Sequence, residues 1–147
     1  MTATPRQPAS ISRGPLALTI VLTGLLGVGI IAQGVIAGLF LDGSNNGRAV
    51  DVHEVLGPLL VLVGLAAAVV SLRLRASAAG QRVAYATAGL TATLAIEVAL
   101  GFISSDHPRV LAAHIPLAIG LFGFFVRTSS ALRALRSPAR RAEGDQS

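Results

Sequence analysis

The fold turns on residues 16–41, LALTIVLTGLLGVGIIAQGVIAGLFL, 26 consecutive positions without a formally charged side chain. A helix climbs about 1.5 Å per residue, so about 20 such residues cross the roughly 30 Å hydrocarbon core of a bilayer. Three more apolar runs lie beyond it: 55–72, 83–105 broken only by Glu97, and 110–126 with His114 as its one ionisable residue. Asn45 and Asp106 are plausible N-caps, each eight residues ahead of a histidine, His53 and His114. The expected spans are therefore about 16–41, 47–72, 83–104 and 107–127, an all-α four-helix transmembrane bundle. Residues 1–15 and 128–147 read as tails, the second basic, with 1–15 and 137–147 rich in Pro, Ser, Ala and charge. Leu132, Leu135 and the arginines around them offer two readings, an extension of span four as a basic helix on anionic lipid or a solvated tail that only fixes orientation, and the solvated tail is the expectation.

Composition agrees. The chain has 147 residues, 52% hydrophobic and 13% charged, with a mean hydropathy of +0.69, which excludes an ordinary soluble domain and intrinsic disorder alike. It contains no cysteine, which excludes a disulfide framework, a thiolate metal site, an iron–sulfur cluster and a cysteine nucleophile. The first run exceeds the roughly 7–15 residues of a signal-peptide core, and no small-residue cleavage site follows it, so it reads as a retained span.

A net charge of +5 and a pI near 11.5 would point to nucleic acid if the cations shared one folded surface. They do not, and no nucleic-acid partner is expected. All twelve cations are arginines, and ten fall in clusters at the edges of apolar runs: Arg6 and Arg13; Arg73, Arg75 and Arg82; and five from Arg127 to Arg141. The loops after the first and third runs carry only Arg48 and Arg109, each beside acidic residues. By the positive-inside rule both termini are cytoplasmic, and the protein is expected as a multi-pass component of the inner or plasma membrane. There is no Trp, and the single Tyr, Tyr85, lies near the expected cytoplasmic end of the third span.

The two halves resemble each other. Residues 31–38, IAQGVIAG, read against 94–101, LAIEVALG, each with a polar residue followed by a small one a turn later. His53 with LGPL at 56–59 reads against His114 with IPLA at 115–118. An internal repeat of this kind implies two helical hairpins around a pseudo-symmetry axis, with function at their interface. It places both histidines about two turns inside the outer ends of their helices, at one depth.

These residues are the candidate site. His53 and His114 could hold an iron between axial imidazoles in an apolar slot lined by small residues. Zinc would need a third or fourth ligand. Glu97, an acid inside a span, must face a partner or a cavity, and Gly89, Thr93, Glu97 and Gly101 form the stripe expected to point inward. Gln33 is its counterpart in the first hairpin. Gly34 with Gly38, Gly27, and Gly57 with Gly64 read as close helix packing, with room for a planar ligand as the functional alternative. Arg48 and Arg109 are the natural propionate partners by charge, and Asp51, Glu54 and Asp106 could orient imidazoles. His107, ahead of Pro108, reads as a surface residue.

Gln33 with Gly34 and Gly38, His53 with Gly57, Glu97 with Gly101, and His114 together resemble one four-helix half of the haem A synthase family, over residues 16–127. The pattern is also similar to small four-helix bacterial membrane proteins of unknown function with a histidine at the start of helix two and another in helix four. The resemblance implies that His53 and His114 ligate haem iron near the outer face; the reading taken from it together with the residues is one haem b, with Gln33, Gly57 and Glu97 around it and Arg48 and Arg109 placed there by charge. The family's catalytic half has a Glu three residues before its helix-two histidine and an Arg just after it. Here those places hold Val50 and Glu54, and a single half-bundle lacks a second haem site. The expectation is therefore electron transfer or haem handling rather than an enzyme acting on its own, with the bilayer, a second copy or a membrane redox protein as partner. The rival expectations are a cofactor-free structural or accessory subunit and a small proton-coupled transporter built on Glu97 and His114.

Overall fold

A computed structural model describes residues 13–41 and 47–144, with side chains described as far as residue 136. Four helices follow in order: α1 (Arg13–Leu41), α2 (Gly47–Ser71), α3 (Ala78–Asp106) and α4 (Leu111–Gly144). Short connections make each helix antiparallel to the next, and all four are long and apolar enough to span a bilayer. The protein is a multi-pass, all-α membrane bundle. Packing is extensive between α1 and α2, α2 and α3, and α3 and α4, and sparser between α1 and α4.

Its side chains are arranged for lipid. Large aliphatic residues point outward, with Val28 69% and Ile119 72% exposed, while Thr19, Thr23, Thr87, Thr91 and Thr128 are buried. In water that pattern would be costly; against lipid tails the apolar exterior is neutral, and helices associate through close packing of small residues. Thr19, Thr87, Thr91 and Thr128 each donate their hydroxyl to the carbonyl four residues earlier, so burying them leaves no unmet donor. Glycine supplies the closest approaches. Gly27 lies against the Phe125 ring, Gly29 against Leu60, and a Cβ on Gly64 would stand 3.0 Å from Thr91 Oγ1.

The interior is tiered. At the arginine-rich end Leu16, Leu74, Val83, Leu132 and Leu135 form one cluster. Above it Leu26, Leu60, Ala67, Leu90, Leu94 and Leu121 form a second. Beyond that cluster the bundle is hollow.

Several sequence expectations change. The third helix begins at Ala78 rather than near 83, because Ser77 caps it by accepting a hydrogen bond from the Gly80 amide at 3.0 Å. Asp106 is the last residue of α3 and not the cap of α4. Pro108 drives the residue before it out of the helical region, so the break falls at His107 (φ −129°, ψ 81°), and a short 3-10 turn, Pro108–Val110, leads into α4. Asn45 lies outside the described residues, as do 1–12 of the first tail. The solvated second tail gives way to the other reading, an extension of span four: α4 continues without interruption past 127, and Leu132 and Leu135 are 3% and 5% exposed, packed in the lower cluster rather than laid on lipid. Gly34 and Gly38 make no helix contact, since open space faces both. The inward face of α3 runs through Thr87, Thr91, Leu94 and Glu97, leaving Gly89 and Thr93 only half-buried.

Candidate functional site

A cavity of about 520 Å³ occupies the hollow end, within the roughly 300–1,000 Å³ range of small-molecule and cofactor sites. Its floor is Leu60, Leu94 and Leu121, the top of the second core cluster. All four helices wall it, and the wall is mainly apolar, with Gln33, His53, Glu54 and Glu97 among its few polar side chains.

His53 and His114 both line this space. His53 stands six residues after Gly47, the first residue of α2, and His114 six after Pro108, where the turn into α4 begins. Phe40 meets the His53 ring edge-on, with centroids 5.3 Å apart and planes at 77°. Gln33 Nε2 donates to the His53 carbonyl at 3.0 Å, tying α1 to α2 at the level of the site. Five residues on, Pro58 cannot donate to the Glu54 carbonyl, which is left without its helical partner beside the cavity.

The second hairpin makes a different contact. His114 Nδ1 lies 3.2 Å from the Glu97 backbone oxygen and 3.1 Å from Glu97 Oε1. A backbone carbonyl only accepts, so Nδ1 carries the proton and donates to it, and the lone pair belongs to Nε2. The Glu97 carboxylate is close as an ion-pair neighbour, and neither of its oxygens has a hydrogen bond. Glu97 is 6% exposed, so this acid is buried with its charge-bearing atoms unsatisfied. Four of the five buried side-chain polar atoms without a partner among the described residues belong to the cavity: Gln33 Oε1, His53 Nδ1 and both Glu97 oxygens. Such atoms are rare in a finished core, and their concentration marks where polar demand is unmet.

Two glycines keep the walls flat. A Cβ on Gly101 would stand 3.4 Å from His114 Cε1, and one on Gly57 would stand 3.2 Å from Val98 Cγ2 and 3.3 Å from Gln33 Nε2. Gly34 also lines the cavity, so its role is to leave space rather than to dock a helix.

The structure thus gathers Gln33, His53, Gly57, Glu97 and His114 around one space. Arg48 and Arg109 are exposed and stand outside the described wall. Asp51, Asp106 and His107 are exposed and outside it as well, whereas Glu54 lines it. Phe40 escaped the sequence reading, although it is the single aromatic residue of 16–41 and that isolation was the available signal. No family model, curated protein or solved structure matches the chain.

Proposed function

We propose that this protein binds one b-type haem between His53 and His114 and serves electron transfer or haem handling in the inner or plasma membrane, with both termini cytoplasmic. The observation that carries the proposal is the pair of imidazoles on one apolar four-helix cavity, with His114 held by its Nδ1 proton so that Nε2 keeps a free lone pair. A metal-binding histidine normally donates its other ring N–H to a carbonyl or carboxylate, and His114 has both within reach. Among the described residues no three His, Cys, Asp or Glu side chains converge as a metal group. The two-histidine donor set therefore suits a metal that brings its remaining ligands with it, as a porphyrin does. When bound, haem supplies one-electron chemistry at its iron.

The chain's own residues would do the rest. Glu97 orients His114, Gln33 fixes the α2 backbone at His53, and Phe40 limits the swing of that ring. Gly57 and Gly101 leave flat walls, while Leu60, Leu94 and Leu121 close the floor against water from the opposite end. The paired contacts Gln33 to His53 and Glu97 to His114, one in each hairpin, support an internal repeat behind the site. The lipid bilayer is the surrounding partner, and a second copy or a membrane redox protein would exchange the electron.

The test is the absorption spectrum of protein made in haem-replete cells and extracted in mild detergent. The expected ferrous form is low-spin, with sharp α and β bands. His53→Ala and His114→Ala should each convert it to high-spin or abolish haem retention, and the exposed His107→Ala should leave it unchanged. Wild-type protein without Soret absorption would refute the proposal and bring the cofactor-free accessory subunit forward.

A further inference from the structure

A second groove lies at the arginine-rich end, on the outer side of the seam between α3 and α4. It measures about 680 Å³ and is open to the surroundings. From α3 it takes Arg82 and, one helical turn on, Tyr85 and Ala86; from α4 it takes Gly120, Gly123, Phe124, Arg127 and Ala131, again along one face. Two observations define its chemistry. The first is an apolar trough: a Cβ on Gly120 or on Gly123 would meet nothing within 4 Å, so the α4 backbone is bare beside Phe124 and Ala86. The floor is firm, because Thr128 Oγ1 reaches the Ala86 carbonyl at 3.4 Å and its own Phe124 carbonyl at 2.9 Å.

The second is charge. Arg82 and Arg127 stand on opposite walls, and neither has a carboxylate or any other recorded partner among the described residues. Arg75 lies over the Tyr85 ring at 5.8 Å from its centroid, adding a third cation at the rim and holding the ring there. Between residues 55 and 142 the chain's only acids are Glu97 and Asp106, both toward the far end of α3. Among the described residues the groove is therefore cationic at its mouth without local neutralisation, and apolar where it runs into the membrane-spanning length of α4.

We infer that this groove binds an anionic phospholipid, its phosphate between Arg82 and Arg127 and an acyl chain along Gly120, Gly123 and Phe124. Arginine forks match phosphate oxygens, and basic recesses between transmembrane helices are suited to acidic headgroups. The occupant must have both parts, since a free anion would leave the trough bare and an uncharged lipid would leave the arginines unpaired. The inference is independent of the haem site, which lies at the other end of the bundle.

The test is native mass spectrometry of the full chain released from vesicles containing equal parts of phosphatidylglycerol and phosphatidylcholine. One retained phosphatidylglycerol is expected. Arg82→Gln or Arg127→Gln should lower its retention about fivefold each, and the pair about thirtyfold, the worth of one and two cations at a lipid surface. Gly123→Leu, which fills the trough and leaves every charge in place, should lower retention as well; circular dichroism verifies that each variant remains helical. Arg73→Gln, at the same end but outside the groove, should retain the lipid. Equal loss from Arg73→Gln would mean diffuse attraction and overturn the groove. Displacement by millimolar inorganic phosphate, with Gly123→Leu unaffected, would mean an anion site without a chain and overturn the lipid. A dimer abolished by Gly123→Leu, with no lipid retained by the wild type, would assign the groove to a second copy and overturn it too.

Discussion

Gly101 provides a graded test of where the His114 imidazole sits. A Cβ built there would lie 3.4 Å from Cε1, 3.9 Å from Nε2 and 4.0 Å from Nδ1, which is ordinary van der Waals contact. Gly101→Ala should therefore leave the ring in place, and it should stabilise the helix by about 0.5–1 kcal/mol by removing glycine's backbone freedom. Gly101→Val is different. Valine in a helix is held almost entirely in one rotamer, so it cannot turn both methyls away from a ring already in contact with its Cβ. Overpacking of this kind costs about 1–3 kcal/mol, and at about 1.4 kcal/mol per tenfold that is about a 5- to 150-fold loss of haem retention. The assay is haem titration into ligand-free protein in detergent, followed at the Soret band. Gly38→Val, facing open space in α1, should bind as the wild type does. A Gly101→Val protein with wild-type affinity and an unaltered low-spin spectrum would refute the placement of His114 against Gly101.

Three further outcomes are expected. Reporter fusions at residue 76 and at the C-terminus should both report cytoplasm and a fusion near residue 46 the outside, from ten arginines on one side against two on the other; an external C-terminus would break the four-span topology. Gly80→Ala should lower the melting temperature in detergent, by an overpacking cost of about 1–3 kcal/mol, because its Cβ would collide with the Leu74 carbonyl; Gly24→Ala, facing open space, should not, and equal behaviour of the two would contradict the turn. Glu97→Leu should raise the thermal stability of the ligand-free protein while lowering haem retention, since it removes a buried carboxylate that has no hydrogen bond and with it a neighbour of His114. A loss of stability would show that the carboxylate has a partner.

The spans were legible because lipid imposes one crude requirement, about 20 apolar residues, which 16–41 meets without ambiguity. The convergence of Gln33, His53, Glu97 and His114 was legible for a related reason, since polar groups inside such spans must face inward. Helix ends were harder. Ser77 and His107 set two of them, and both depend on backbone geometry that competes locally with Asp106 and with the charged residues near 82. Small residues misled most. A glycine pair that docks and one that faces empty space have the same sequence, and only the position of the neighbouring helix separates Gly64 from Gly34 and Gly38. Arg48 and Arg109 were assigned by charge alone, and charge says nothing about whether a side chain at a helix end turns toward the site or away from it.

The unequal packing of the four helices makes the bundle a clasp. Its spine is the contact of α2 with α3, and its jaws are α1 and α4, which touch least. His53 and Glu97 sit on the spine, whereas His114 belongs to a jaw. During synthesis the first three helices can be inserted and packed before α4 arrives, so the cavity is a three-sided trough open to the bilayer until the last wall is laid. On the proposed haem reading, loading belongs to the final stage of assembly. A guest leaving sideways would have to part α1 from α4, a motion in the membrane plane across the sparser of the seams between neighbouring helices.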